Sequence, residues 1–158
     1  MNKRGEKVLG LSRKITGKLR PFCSKIEVAG SIRRRVKNPG DIDIVLVAKS
    51  EKSKDRIKEV LSKEGKFLQG GSHIMFFKIH GVGVQLFFTT LDEWGSGLLA
   101  YSGKKGSNIG LRVVARRKGL KLTSHGLFSR KTGKRIAGRS EKEIYRALGR
   151  PYKEPWER

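Results

Sequence analysis

The feature that most constrains this chain is Gly40-Asp41-Ile42-Asp43 running straight into Ile44-Val45-Leu46-Val47. An unbroken Ile/Val/Leu run predicts a buried strand. Residues two apart on a strand share a face, so Asp41 and Asp43 project together from one edge of a sheet. Two carboxylates held that close repel each other unless a cation lies between them. Hard divalent ions such as Mg2+ take carboxylate oxygens and complete their shell with phosphates and water. Ten residues upstream lies Gly30-Ser31-Ile32-Arg33-Arg34. Its glycine and serine let backbone and hydroxyl approach a triphosphate, and Arg34 adds positive charge. An Asp-x-Asp pair alone often does no more than open a strand. The Gly-Ser-x-x-Arg element upstream favours the reading as a metal–triphosphate site. Arg33, Arg34, Arg35 and Lys37 crowd the loop before Asp41. Such a run is commonly just solvated, but beside an anion site at least one of the four is expected to serve the nucleotide.

Charge narrows the partner. The 158 residues carry 37 Lys and Arg against 14 Asp and Glu, a formal net charge of +23. That excess contributes little to folding and costs self-repulsion, so it argues for a polyanion, and nucleic acid fits best. An anionic membrane surface fits less well, because no amphipathic anchor is present. There is no apolar stretch of about eighteen residues and no signal-peptide pattern, so an intracellular protein is expected. The single Cys23 excludes an internal disulfide and a cysteine zinc cluster, and reads as a small buried apolar residue.

Taken in order, Val8, Leu11, Ile15 and Leu19 mark one helical face that Pro21 ends. A strand over 25–29 feeds the Gly-Ser turn, and the Asp41–Val47 strand follows. A surface helix over 51–64 packs Ile57, Val60 and Leu61 on the sheet. Strands are predicted over 66–68 and 73–79, with His80-Gly81-Val82-Gly83 as a hairpin turn into a strand over 84–89. Residues 1–92 thus form a mixed-sheet lobe covered on one side by helices, in an α+β chain. A second, smaller α/β lobe spans 93–158. It has helices ending at Ser102-Gly103 and spanning 107–117, short strands over 120–122 and 127–136, and a last helix capped by Ser140 with Glu143. This lobe holds 17 basic and 5 acidic residues, a net +12 in 66, against a net +11 in 92 for the first. A surface gripping a nucleic-acid backbone is expected there.

These motifs resemble the X family of DNA polymerases, the polymerase beta-like nucleotidyltransferases. The resemblance is carried by Gly30-Ser31 with Arg33-Arg34, by Gly40-Asp41-Ile42-Asp43, and by Tyr101-Ser102-Gly103 with Asn108 and Arg112. Further along the chain it is carried by Gly126-Leu127-Phe128, Ile136-Ala137-Gly138 and Pro151-Tyr152-Lys153-Glu154-Pro155. The first two motifs occur across the wider nucleotidyltransferase superfamily; the later ones mark a palm followed by a thumb. The layout is similar to the minimal two-lobed form known from a small viral member, without lyase or fingers domains.

The resemblance implies a monomeric enzyme that uses two Mg2+ or Mn2+ ions and acts on dNTP and gapped or primer–template DNA. Asp41 and Asp43 would bridge the ions. Gly30, Ser31, Arg34 and Gly40 would hold the triphosphate. Tyr101 and Gly103 would lie against sugar and base, with Asn108 at the base's minor-groove edge. Arg112 would touch the template, and His125 replaces a tyrosine often found near that contact. Arg116, Arg117 and Lys118 would add basic surface for DNA. Without the resemblance, Tyr101 reads better as a core aromatic and Asn108 as a helix-start cap.

One departure matters most. The family's third carboxylate falls within Val82–Phe87, and the matching residue is Gln85. An amide can donate an oxygen but supplies neither charge nor a proton acceptor. Two functions are therefore expected of this sequence: a repair polymerase with chemistry impaired at Gln85, or a DNA- and nucleotide-binding protein of the same fold. A transferase acting on a protein or small molecule is disfavoured by the basic second lobe.

Overall fold

The structure, a computed structural model, describes residues 1–158 and divides into two compact units, Met1–Thr89 and Thr90–Arg158. In the first unit, α1 (Lys3–Leu19) starts where Asn2 accepts a hydrogen bond from the Gly5 amide at 2.8 Å. It is followed by β1 (Cys23–Val28) and by α2 (Gly30–Arg33), a single helical turn. Next come β2 (Ile42–Ala48) and α3 (Glu51–Ser62), the latter capped by Ser50. β3 (Lys66–Gly70), β4 (Ile74–Ile79) and β5 (Val82–Phe88) complete a five-stranded sheet in the order β1-β2-β5-β4-β3. Only the β2–β5 pair is parallel.

Alternation along the strands decides which face the helices cover. Ile42, Ile44 and Leu46 of β2, with Val84 and Leu86 of β5, are fully buried against Val8, Ile15 and Leu19 of α1 and Ile57 and Leu61 of α3. Burying each such side chain contributes about 1.5–3 kcal/mol. Asp43 falls between them in the alternation and so faces away from the helices, as does its register partner Gln85. Cys23 is buried in the same core, and burial pushes its thiol up to about 11, outside the range where a thiolate reacts.

The second unit contains α4 (Trp94–Ser102), α5 (Lys105–Arg117) and a three-stranded antiparallel sheet of β6 (Leu120–Thr123), β7 (Gly126–Ser129) and β8 (Arg135–Ala137). It ends with α6 (Glu141–Ala147). Its core gathers Leu99, Leu111, Ala115, Leu127, Ile144, Tyr145 and Leu148. Ser140 caps α6 as expected, accepting from the Glu143 amide at 3.1 Å. At the carboxy terminus Arg158 is pinned in this unit: its Nη1 lies 2.6 Å from Glu141 Oε2, and its guanidinium sits 5.6 Å from the ring centres of both Tyr145 and Tyr152.

The chain is therefore α+β, a mixed sheet with helices on one side followed by a small α/β unit. Three local readings change. The hairpin turn comprises only His80 and Gly81, both at positive φ (51° and 78°), as a two-residue turn requires. Val82 and Gly83 belong to the strand, paired with Ile79 and Lys78. α5 begins at Lys105 rather than Ser107, which moves Asn108 inside the helix and away from the capping position.

Candidate active site

Every feature around Asp41 and Asp43 follows from the local backbone. β2 and β5 run parallel with Asp43 opposite Gln85 and Ile42 opposite Val84, so Asp41 stands beside Gly83. A methyl group placed on Gly83 would come within 2.9 Å of Asp41 Oδ1. Gly30 plays the same part for Asp43: its φ is +57°, and a methyl group there would meet Asp43 Oδ2 at 2.1 Å. Each carboxylate thus lies against backbone that only glycine leaves open. The Ala29 amide donates to the Asp43 carbonyl at 2.7 Å, fixing the Gly30–Arg33 turn beside the strand.

Electrostatics agree with the geometry. Burial pushes the Asp43 carboxyl above the usual range, the neighbouring Asp41 charge pushes it further, and the Arg34 guanidinium draws it partly back. Asp41 itself is exposed. Arg33 turns to Glu27 of β1, its Nε 3.3 Å from Glu27 Oε1. Arg34 is therefore the cation of the pair that bears on Asp43. Ser31 lies in the α2 turn, and Gly40 has nothing within 4 Å of where a side chain would start.

A hard divalent cation fits this donor set in charge and in ligand type: two neighbouring carboxylates, Asp43 destabilised by burial and by the Asp41 charge, backed by an amide oxygen at Gln85. The fit is incomplete in number, because no group of three or more His, Cys, Asp or Glu side chains comes together. Asp92 and Glu93 do not supply the missing carboxylate. Asp92 pairs with Arg139 at 2.8 Å, and Glu93 lies 3.1 Å from His125 Nδ1 and 3.4 Å from Arg135.

In the second unit, Tyr101 lies in the last turn of α4, and Gly103 ends that helix by donating to the Leu99 carbonyl at 3.3 Å. Asn108 Nδ2 donates to the Ala100 carbonyl at 3.0 Å, and its Oδ1 is buried without a hydrogen-bond partner. A methyl group on Gly103 would meet that oxygen at 2.5 Å, so the helix end and the asparagine are fitted together. Tyr101, Arg112 and Arg116 line an open groove of about 480 Å3, together with Lys121 and Arg130. Arg117, Lys118 and His125 are exposed but do not line it.

Sequence reasoning missed Gly83, Lys121 and Arg130. A signal existed for the first, since an isolated glycine between two strand valines marks close approach of another group. None existed for the other two, which the β6–β7 pairing brings beside α5.

Comparison with known proteins bears on this arrangement. The family model described as the DNA polymerase beta thumb matches residues 97–158, which lie wholly within the second unit. The chain is 28% identical over 150 residues to Repair DNA polymerase X of African swine fever virus, covering 90% of this chain and 86% of the viral protein. It is 39% identical over 64 residues to DNA polymerase IV of Saccharomyces cerevisiae, covering 40% of this chain and 11% of the yeast protein. The second unit thus resembles the thumb of a beta-type DNA polymerase. Along 90% of its length the chain is similar to a viral repair DNA polymerase, and over residues 97–158 to a polymerase thumb.

Proposed function

We propose that this chain is a short-gap repair DNA polymerase, transferring a nucleotidyl group from a dNTP to a primer 3′-hydroxyl. The observation that carries the proposal is the carboxylate pair, Asp41 and Asp43, each seated against a glycine at the edge of the parallel β2–β5 pair. When bound there, two Mg2+ or Mn2+ ions would offset triphosphate charge and acidify the attacking hydroxyl. Asp41 and Asp43 would supply the anionic oxygens that hold them. Ser31, Arg34 and the open backbone at Gly30 and Gly40 receive the triphosphate, with Arg34 close enough to bear on Asp43 electrostatically. Tyr101, Gly103 and Asn108 position sugar and base, and Arg112 and Arg116 engage the DNA, with His125, Arg117 and Lys118 as further basic surface. Gln85 orients the reacting end through its amide oxygen but accepts no proton, so the hydroxyl proton passes to solvent and the chemical step is slow.

A second reading rests on the same Gln85: a protein that keeps nucleotide and DNA affinity with little turnover. No helix is long and apolar enough to cross a membrane. Triphosphate binding in Mg2+ or Mn2+ and single-nucleotide extension on gapped DNA, each compared with Asp41→Ala, separate the cases. Binding and extension that both vanish in Asp41→Ala support the polymerase. Binding lost in the variant, with no turnover in the parent, supports the binding protein. Neither binding nor extension by the parent would sink both.

A further inference from the structure

At about 3.6 residues per turn, Gly110 and Val114 lie across α5 from Arg112 and Arg116 and turn away from the basic groove those two line. On this far side a second open groove, of about 430 Å3, runs between α5 and the chain that follows α6. Its floor is apolar, formed by Leu111, Val114 and Tyr145 where the core of the unit comes to the surface. Gly110 belongs to the α5 wall, and nothing lies within 4 Å of where its side chain would start. The opposite wall carries two exposed cations, Arg150 and Lys153, and no acidic residue lines the groove. Glu154, next in the chain, caps the final turn Pro155–Glu157 instead. The cationic wall has no regular secondary structure, yet it is held at both ends. The Arg150 amide donates to the Tyr145 carbonyl at 2.9 Å. The Lys153 carbonyl accepts from Arg158 Nε at 3.0 Å, and Arg158 Nη1 donates to Glu141 at 2.6 Å. Walls already fixed in this way leave little ordering cost for an incoming ligand.

We propose that this groove docks a short acidic peptide segment of a partner protein. One aromatic or branched apolar side chain of the segment packs on Leu111, Val114 and Tyr145, in the space that Gly110 leaves open. Carboxylates beside it meet Arg150 and Lys153. A peptide fits better than a nucleic-acid strand, because the cations stand on one wall only and the surface between that wall and α5 is largely apolar. A formal net charge of +23 also draws acidic partners and speeds their encounter. The proposal is independent of the Asp41–Asp43 reading, and because the groove faces away from Arg112 and Arg116, it does not compete with the role given to them.

Fluorescence anisotropy of a labelled peptide, a single phenylalanine flanked on each side by aspartate and glutamate, titrated with the whole chain at about 0.15 M salt, tests this. Because a chain of this charge attracts any anion, the charge-neutral changes decide. Replacing the peptide's phenylalanine by alanine should lower affinity about tenfold or more, the effect of withdrawing one buried aromatic side chain. Gly110→Leu fills the groove and improves the helix propensity of α5, so it should lower affinity to a similar extent while melting no lower than the parent. Arg150→Gln/Lys153→Gln should lower affinity about four- to twenty-five-fold, as two exposed ion pairs imply. Lys52→Gln on the exposed side of α3 should leave it unchanged. A single-stranded oligonucleotide should bind the parent and Gly110→Leu equally.

Peptide affinity that ignores the loss of phenylalanine, or that is the same for folded Gly110→Leu and the parent, overturns the proposal and leaves only general charge attraction. So does equal affinity for the parent and Arg150→Gln/Lys153→Gln. An oligonucleotide that weakens with Gly110→Leu while the peptide does not assigns the groove to nucleic acid and overturns it as well. No nucleotide or metal enters these titrations, so failure here leaves the Asp41–Asp43 reading standing.

Discussion

Gly30→Ala is the most informative single perturbation of this fold, because the structure separates its two costs. Gly30 has φ +57°, and an L side chain in the left-handed region costs about 1–2 kcal/mol. The new methyl would also lie 2.1 Å from Asp43 Oδ2 and 2.9 Å from its Cγ. That carboxylate must move, and overpacking of this kind costs about 1–3 kcal/mol. The sum is about 2–5 kcal/mol in a unit of 89 residues, a fall in melting temperature of roughly 8 °C or more. Gly40→Ala is the control. The sequence assigns it to the same pocket, yet nothing lies within 4 Å of the new methyl, so its stability should stay within about 0.5 kcal/mol of the parent. Thermal melts of Gly30→Ala, Asp43→Ala and the double variant then form a cycle. Removing the carboxylate should rescue the steric part and leave the backbone part, giving a coupling of about 1–3 kcal/mol. If Gly30→Ala melts with Gly40→Ala, or if the cycle shows no coupling, the seating of Asp43 against Gly30 is wrong.

Two further perturbations probe charge. Asp43 has its carboxyl raised by burial and by Asp41, so the folded state holds its proton more tightly than the unfolded chain does. Its ionised form therefore costs stability above the usual carboxylate range, and that cost disappears as pH falls through the raised value. Asp43→Asn, followed by urea denaturation in EDTA, should be more stable than the parent at pH 7, with the gap closing toward pH 4. A gap that widens on acidification contradicts the shift. Arg158 and Glu141 are 0% and 6% exposed, so Arg158→Met leaves a buried carboxylate and should cost about 3–5 kcal/mol. Pairing it with Glu141→Leu should recover most of that in thermal melts, and equal losses in the single and double variants would refute the argument.

How much of this was legible in the sequence depended on whether the signal was local. Alternation and continuity were enough for β2: Ile42, Ile44 and Leu46 go to the core and Asp43 to the opposite face, as a period of two demands. The placement of Gln85 beside Asp43 needed one long-range fact, the parallel β2–β5 register; the family resemblance had put Gln85 on a neighbouring strand without that pairing. The turn at His80-Gly81 was overextended because Val82-Gly83 reads as turn-like composition. Gly83 is in fact a strand residue that leaves room for Asp41. Asn108 read as a cap because the start of α5, Lys104-Lys105-Gly106, carries weak helical signal; the helix nonetheless begins at Lys105. The groove cations Lys121 and Arg130 were invisible because their proximity to Arg116 arises only from strand pairing.

The central claim is that Asp41 and Asp43 form two-thirds of a metal-dependent nucleotidyl-transfer site whose third position is Gln85. The most direct test is the rate of single-nucleotide incorporation on one-nucleotide-gapped DNA in Mg2+ or Mn2+, comparing the parent with Gln85→Asp and Asp41→Asn. The account predicts slow extension by the parent, none by Asp41→Asn, and faster extension by Gln85→Asp, since a carboxylate beside Asp43 supplies both charge and a proton acceptor. A Gln85→Asp variant no faster than the parent, or an Asp41→Asn variant that extends as well as it, would contradict the account.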